Sequence, residues 1–193
     1  PAGLVSQHHI RAGYEDPQGL AELARLCAAV TTEFENVPAR ALDILARSLP
    51  VSPAGGAVAI AQDRAAEKAH FVRCGVPVAP HAVIATPAQL AAVDAGLLPG
   101  ILKTARLGYD GKGQARVKDR AELAAAWDRL GRVPCVLERL MPLRAECSVI
   151  VARGADDQCV SFPVQKNTHR DGILAVTEVY EGAIDPALAR RAH

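Results

Sequence analysis

Hydrophobic positions alternate along the chain between helical and strand spacing, which divides the sequence into short elements. Asp16, Thr86 and Asp119 precede helical stretches as N-capping residues, and Gly75 follows one as a C-terminal glycine. Helices are predicted at 17–27, 38–49, 54–74 in two pieces, 87–94, 120–130 and from 188 onward. Strands are predicted at 28–34, 81–85, 101–103, 115–118, 133–139, 145–153, 159–164 and 175–180.

The order of these elements predicts an α+β fold. The helix and strand of 17–34 resemble the end of a parallel α/β unit, and 50–53 is predicted to be an extended linker. The later strands form a mostly antiparallel run. We therefore expect two domains, 1–53 and 54–193. Because the first residues hold no complete unit and the last helix is cut short, we also expect a chain truncated at both ends.

A glycine-rich loop follows the strand that ends at Lys103. It contains three glycines in six positions, and its residues are Gly108, Tyr109, Asp110, Gly111, Lys112, Gly113 and Gln114. Glycines adopt positive φ and leave their N–H groups uncovered, and successive N–H groups form a nest for anions. Lys103 and Lys112 add positive charge. The loop is thus suited to a nucleotide triphosphate, although an ordinary hairpin turn with a solvated lysine explains it about as well.

The spacing of this loop excludes two familiar phosphate loops. G-x-x-G-x-G fits neither G-x-x-x-x-G-K-[ST] nor the dinucleotide motif G-x-G-x-x-G, and both of those lead into a helix. Here a strand is predicted on each side. We therefore expect a flap between two strands, with glycines that let it open and close.

Several polar residues are placed where they could contact a nucleotide. Glu138 ends one predicted strand and Glu146 begins the next, with the apolar residues Leu140, Met141 and Leu143 between them. The carboxylates could accept from a base amine or from ribose hydroxyls, and the apolar residues could contact the base. Two ordinary surface glutamates at a hairpin would give the same pattern.

Two further segments carry candidate residues. Gln62, Asp63 and Arg64 lie on a predicted helix whose charges, with Glu67 and Lys68, are also typical of a solvated, salt-bridged face. Residues 165–172 are predicted to form a polar loop that holds Asn167 and His169. A histidine in such a loop becomes a ligand contact only if the loop faces the phosphates.

Composition narrows the classes of function. Half of the residues are hydrophobic and the formal net charge is +1 without a basic block, which argues against nucleic acid as a partner. We see no bilayer-spanning run and no signal peptide, and we expect no membrane partner and a cytoplasmic protein. The five cysteines form no C-x-x-C pair, which predicts buried, reduced thiols.

In their order along the chain, these motifs resemble the ATP-grasp fold, in which two α+β subdomains hold ATP and a glycine flap closes on the phosphates. Four strings more narrowly resemble the N5-carboxyaminoimidazole ribonucleotide synthetase family. They are T-E-F-E-N-V-P at 32–38, Q-D-R at 62–64, G-Y-D-G-K-G-Q at 108–114 and N-x-H-x-x-G-I-L at 167–174. The resemblance implies an ATP-grasp domain preceded by the end of a pre-ATP-grasp domain.

The resemblance also implies a ligase of purine biosynthesis that needs ATP and Mg2+ and forms a homodimer. Members of the family convert ATP and bicarbonate to carboxyphosphate, which carboxylates the amine of 5-aminoimidazole ribonucleotide (AIR). Carried over residue by residue, the catalytic residues are Lys103, Tyr109 and Asp110. The implied ATP contacts are Arg64, Lys103, Gly108, Tyr109, Asp110, Gly111, Lys112, Gly113, Gln114, Glu138, Arg139, Leu140, Met141, Glu146 and His169.

The chain departs from the family by omission. The family's first strand with its glycine-rich turn is absent, and so are the later acidic residue and Asn-Glu pair that bind magnesium. We therefore expect this chain alone not to turn over. Two alternatives stay open: a formate-dependent purine-pathway transformylase, which the E-F-E-N-V-P string argues against, and a nucleotide-binding module without catalysis.

Overall fold

A computed structural model describes residues 2–108, 113–170, 173–180 and 182–192 of the chain. The described residues belong to two compact units. The first comprises Pro1–Leu107 and Ala115–Arg139, and the second comprises Gly108–Gln114 and Leu140–His193. The predicted domain division at 53/54 stays a prediction.

The elements follow the predicted order closely. The helices are α1 (Pro17–Leu26), α2 (Ala39–Leu45), α3 (Gly55–Ala61), α4 (Arg64–Arg73), α5 (Pro87–Ala91), α6 (Arg120–Arg129) and α7 (Pro186–Ala192), with short 3-10 helices at Ala2–Leu4 and Ala95–Leu97. The strands are β1 (His81–Ile84), β2 (Gly100–Thr104), β3 (Gln114–Val117), β4 (Cys135–Arg139), β5 (Glu146–Ser148), β6 (Val151–Arg153), β7 (Cys159–Ser161), β8 (Gln165–Arg170) and β9 (Ile173–Glu178).

The predicted helix caps are confirmed. Asp16, Thr86 and Asp119 each accept a hydrogen bond from the backbone amide three residues further on, which satisfies a donor that the first turn leaves free. Gly75 ends α4 with a φ of 73°, the left-handed conformation that favours glycine at this position.

The core of the first unit lies against a four-stranded sheet with the order β1-β4-β2-β3, in which β4 is antiparallel to both β1 and β2. Gly100 must be a glycine, because a Cβ there would lie 2.8 Å from the carbonyl oxygen of Glu138. The buried cluster comprises Ile84, Val93, Leu97, Leu102, Val117, Leu123, Ala126, Trp127, Cys135 and Leu137.

A second, smaller cluster joins α1 to α2 through Leu20, Ala41 and Leu45. The strand predicted at 28–34 is wrong, because in the described residues only Val30 forms a bridge there, parallel to Val51. A strand of a parallel sheet needs hydrogen-bonded neighbours along its length, and this segment has one bridge.

The second unit contains a three-stranded sheet with the order β5-β8-β9 and a two-stranded pair, β6-β7. The strand predicted at 145–153 is therefore divided between two sheets. The polar loop predicted at 165–172 is also wrong, since residues 165–170 form β8, the middle strand. Its polar sequence is compatible with a strand because the described residues of this unit are all at least partly exposed.

Two expectations from composition can be compared with the structure. All five cysteines are free, but only Cys135 is buried, so the prediction of buried thiols is wrong for the exposed Cys74, Cys147 and Cys159. Within the described ranges, no helix combines the length and apolar character needed to cross a membrane.

Truncating Leu137 tests how much the buried cluster of the first unit contributes to stability. Leu137 is fully buried in the middle strand of the first unit, and we expect Leu137→Ala to lower the free energy of unfolding by about 2–5 kcal/mol in urea denaturation. Leu4→Ala, the same change at an exposed residue of the same unit, should change stability by less than about 0.5 kcal/mol. Equal effects of the two variants would contradict the assigned core.

Candidate functional site

Strand register places Lys103 and Glu138 on the same face of the first sheet. Ile101 lies directly opposite Glu138 across the β2–β4 ladder, and Lys103 follows two residues later on the same side. The intervening Leu102 points to the other face, where it is fully buried in the core. The alternation of β2 thus presents a lysine on one side of the sheet and a core leucine on the other.

The Glu138 carboxylate binds two lysines, one on each oxygen. Lys103 Nζ lies 2.7 Å from Oε2, and Nζ of Lys68, which projects from α4, lies 2.8 Å from Oε1. The side chains of Lys68, Glu138 and Lys103 are only 13%, 15% and 25% exposed. Charges this far from water must be paired, and the carboxylate is placed between its two partners.

The two lysines dominate the protonation of Glu138. Burial raises its pKa, but the hydrogen bonds and charges of Lys103 and Lys68 outweigh this effect and hold the pKa below its usual value. Glu138 is therefore ionised at neutral pH. Two ammonium groups and one carboxylate leave a net charge of +1 in a partly buried cluster, which favours an anion as its ligand.

Lys68 is a member of this cluster that the sequence did not identify. Of the alternative that this helix has a solvated, salt-bridged face, the solvated part is wrong for Lys68, whose side chain is mostly buried in its ion pair with Glu138. The spacing of four residues between Arg64 and Lys68 places both near one side of α4. The sequence does not reveal that this side meets a carboxylate on the sheet.

Arg64 lies beside the end of β2. Its backbone amide donates to the carbonyl of Ala105 at 2.9 Å, and its Nη1 donates to the carbonyl of Thr104 at 3.5 Å. The first turn of α4 is thereby attached to the chain just after Lys103. Arg64 and Lys103 are predicted separately as ATP contacts, and these hydrogen bonds connect the start of α4 to the end of β2 that carries Lys103.

The glycine loop connects two adjacent strands of one sheet, as predicted, since it joins β2 to β3. Gly113 adopts a φ of 74°, in agreement with the expected role of its glycines. Leu107, just before the loop, has a φ of 60°, which is rare for a residue with a side chain. The candidate residues Tyr109, Asp110, Gly111 and Lys112 lie outside the described residues.

The predicted base-binding segment begins at the end of β4. Arg139 is the last residue of that strand, and its amide donates to the carbonyl of Pro80 at 2.9 Å. Leu140 and Met141 are about 40% and 38% exposed in the second unit. Their contact with a base stays a prediction.

In the second unit, a carboxylate oxygen of Glu146 on β5 lies in hydrogen-bonding contact with Nδ1 of His169 on β8. Glu146 is directly opposite Asn167 in the ladder, and His169 lies two residues further along the same strand. The structure therefore brings together two of the candidate ligands that the sequence placed 23 residues apart.

A row of hydrogen bonds extends this pair along one face of the sheet. Asn167 donates to the hydroxyl of Ser148 at 3.0 Å and accepts from the hydroxyl of Thr177 at 3.1 Å. Ser148 in turn donates to Gln165 at 3.3 Å. Because these groups fix one another's orientation, the face presents an ordered set of donors and acceptors.

Comparison with known proteins identifies this arrangement. Residues 69–192 match the family model of the ATP-grasp domain. The chain belongs to the ATP-grasp family. Residues 1–62 match the model of the ribonucleotide synthetase preATP-grasp domain, which confirms the predicted fold class and the order of its two parts.

Several similar proteins and solved structures are named as N5-carboxyaminoimidazole ribonucleotide synthases or synthetases. The N5-carboxyaminoimidazole ribonucleotide synthase of Pseudomonas aeruginosa is 40% identical over 94% of this chain and 51% of its own length. A solved N5-carboxyaminoimidazole ribonucleotide synthetase in complex with ADP has a TM-score of 0.90 at 32% identity, covering 100% of this chain and 51% of its own. The Aspergillus clavatus synthase in complex with ADP and AIR has a TM-score of 0.84 at 26% identity, with the same coverage.

The chain spans about half the length of the relatives it matches. The predicted resemblance to N5-carboxyaminoimidazole ribonucleotide synthetases is confirmed by these matches. The roles of the individual site residues stay predictions.

Removing the Lys68 ammonium tests the cluster. In Lys68→Met, Glu138 remains desolvated but keeps one lysine, so we expect its pKa to rise in a 13C NMR titration of the labelled carboxyl. We also expect the free energy of unfolding at pH 7 to fall by about 1.5–3 kcal/mol, the range for hydrogen bonds to charged groups. Lys118→Met removes the same charge from an exposed position of the same unit and should leave both quantities near their wild-type values.

The sign of the pH dependence follows from the lowered pKa. The ion pairs stabilise the fold fully above the ordinary carboxyl pKa of about 4.5, and this contribution is lost as the pH falls through the lower folded value. The part of acid destabilisation due to Glu138 should therefore be smaller in Lys68→Met. An unchanged titration of Glu138 would contradict the contact.

Proposed function

We propose that the protein carries out the ATP-dependent carboxylation of AIR with bicarbonate, giving N5-carboxyaminoimidazole ribonucleotide in purine biosynthesis. The observation that carries this proposal is the position of Lys103 near the end of β2, before the glycine loop, where the partly buried Glu138 carboxylate holds it. The names of the relatives support the choice of reaction.

The chemistry needs charge neutralisation rather than a covalent nucleophile. A bicarbonate oxygen attacks the γ-phosphorus of ATP and ADP leaves, which gives carboxyphosphate. The amine of AIR then attacks the carboxyl carbon and phosphate leaves. Catalysis of phosphoryl transfer consists mainly of positioning and electrostatic stabilisation, which ammonium groups and loop amides supply. A closing flap would protect the reactive intermediate from water.

Within this proposal the first unit supplies positive charge. Lys103 and Arg64 contact ATP phosphates, and Lys68 contributes to the excess charge of the cluster. Both oxygens of Glu138 accept from lysines, so we assign this carboxylate the role of orienting Lys103. The backbone of residues 139–141 would then contact the adenine.

The second unit and the loop supply the remaining contacts of the proposal. Glu146 binds ribose hydroxyls and His169 makes a further nucleotide contact, with the polar face of β5 and β8 holding them in position. The resemblance assigns residues 108–114 to the phosphates, and it assigns Tyr109 and Asp110 to the reaction itself.

We also propose that the enzyme requires Mg2+, is a homodimer and works in the cytoplasm without nucleic acid or membrane partners. These assignments rest on the resemblance. The described ranges contain no group of three or more His, Cys, Asp or Glu side chains that could hold a metal ion. These residues do not fit a magnesium site, and we derive no step through the metal.

Replacing Lys103 tests the nucleotide site. Lys103→Ala removes a charge-assisted phosphate contact, so we expect at least a 10-fold loss of ATP affinity in isothermal titration with the purified chain. Lys118→Ala, which removes an exposed lysine of the same unit, should stay within about two-fold of wild type. Wild-type affinity in Lys103→Ala would show that the assigned phosphate role is wrong.

Turnover gives a second test. We expect no ADP release above background from the 193-residue chain with ATP, bicarbonate and AIR, because the proposed reaction requires Mg2+ and the described residues offer no group of three or more His, Cys, Asp or Glu to hold it. A longer form that carries a magnesium site should release ADP only when bicarbonate and AIR are both present. ATP hydrolysis by the chain alone that depends on bicarbonate and AIR would overturn the expectation that this chain is inactive. ADP release by the longer form that depends on formate instead of bicarbonate would overturn the proposed carboxylation.

A further inference from the structure

Gln62 is a buried polar side chain, only 6% exposed, at the junction of α3 and α4. Its Nε2 donates to the carbonyls of Glu35 at 2.7 Å and Val37 at 2.5 Å. These carbonyls belong to the E-F-E-N-V-P string, 25 residues or more away in sequence. Both donors of the amide group are thus committed to fixing this string.

The remaining oxygen of the Gln62 amide depends on Arg106. Arg106 Nη2 donates to Gln62 Oε1 at 3.1 Å, and Nη1 lies 3.9 Å from Asp63. The arginine itself is half exposed, at 53%. Because Gln62 is buried, loss of the arginine would leave its oxygen without this donor, and an unsatisfied buried acceptor costs about 1–3 kcal/mol.

Arg106 stands at the base of the glycine loop, two residues before Gly108. The preceding residues are held as well, since the carbonyls of Thr104 and Ala105 accept from Arg64. Leu107, which follows, has the left-handed φ of 60°. Such a conformation costs about 1–2 kcal/mol and persists only when the surrounding structure holds it. Arg106, which is held by its hydrogen bond to Gln62, directly precedes Leu107.

We propose that Gln62 and Arg106 are positioning residues that couple the E-F-E-N-V-P segment to the base of the glycine loop. One amide group is shared by the two segments, so a change that frees the loop base also loosens residues 35–37. Given the proposed function, on which only this consequence rests, a nucleotide that steadies residues 104–107 would also steady residues 35–37 through Gln62. Such coupling is reciprocal by thermodynamic linkage.

Hydrogen–deuterium exchange of the ligand-free chain tests the coupling directly. Arg106→Met removes the link but leaves Gln62 and its two backbone acceptors in place. Arg132→Met is the matched control, because it removes another exposed arginine of the first unit that pairs with a carboxylate, Asp128. We expect exchange in peptides covering 33–38 and 104–107 to be about five-fold faster in Arg106→Met and unchanged in Arg132→Met.

The outcomes separate the coupling from a general loss of stability. Faster exchange confined to the two segments, with the core peptides of β4 unchanged, supports the proposal. Exchange at 33–38 that equals wild type in Arg106→Met overturns it, and so does a uniform increase across the first unit. Arg106→Lys, which keeps a donor within reach of Gln62, should restore part of the protection at 33–38, whereas a merely structural arginine would not show this local rescue.

A second arm with ATP keeps this test apart from that of the proposed function. If ATP protects neither segment of the wild-type chain, the nucleotide role fails while the ligand-free result still decides the coupling. If ATP protects both segments in wild type but only 104–107 in Arg106→Met, the contact between Arg106 and Gln62 transmits the effect of ATP to residues 33–38. Equal protection of 33–38 in both proteins would overturn the proposal.

Discussion

The fold of the first unit depends on one carboxylate that accepts from two lysines. Glu138 is too far from water to be left unpaired, and each of its oxygens has a lysine within 2.8 Å. This requirement attaches α4 to the sheet through Lys68 and fixes Lys103 at the end of β2. The same contacts that stabilise the packing therefore orient the ammonium group at the entrance to the glycine loop.

The two units use different means to hold their polar groups. The first unit has an apolar core behind its sheet, and its charged cluster is placed on the opposite face. In the described part of the second unit no residue is fully buried. There Glu146, Asn167 and His169 are kept in order by hydrogen bonds between strands. Burial and charge pairing thus fix the polar groups of the first unit, and strand pairing fixes those of the second.

Local signals in the sequence predicted most elements, and contacts between distant residues explain the errors. Asp16, Thr86 and Asp119 are reliable predictors because a cap acts within one turn. The strand character of 165–170 was missed because pairing on both sides, rather than hydrophobicity, stabilises it. Lys68 was missed for a similar reason, since its carboxylate partner is 70 residues away. The family strings identified the fold, but their side-chain contacts depend on tertiary structure.

The buried thiol of Cys135 has a consequence for following the motions of this protein. Burial raises its pKa to about 11, and its Sγ donates to the carbonyl of Val133 at 3.3 Å. Only the thiolate reacts with alkylating reagents, so the folded molecule protects this sulfur both chemically and sterically. The rate at which this thiol is labelled would therefore report how often the core cluster around Cys135 opens. The exposed Cys74, Cys147 and Cys159 would serve as an internal reference for the reactivity of the reagent.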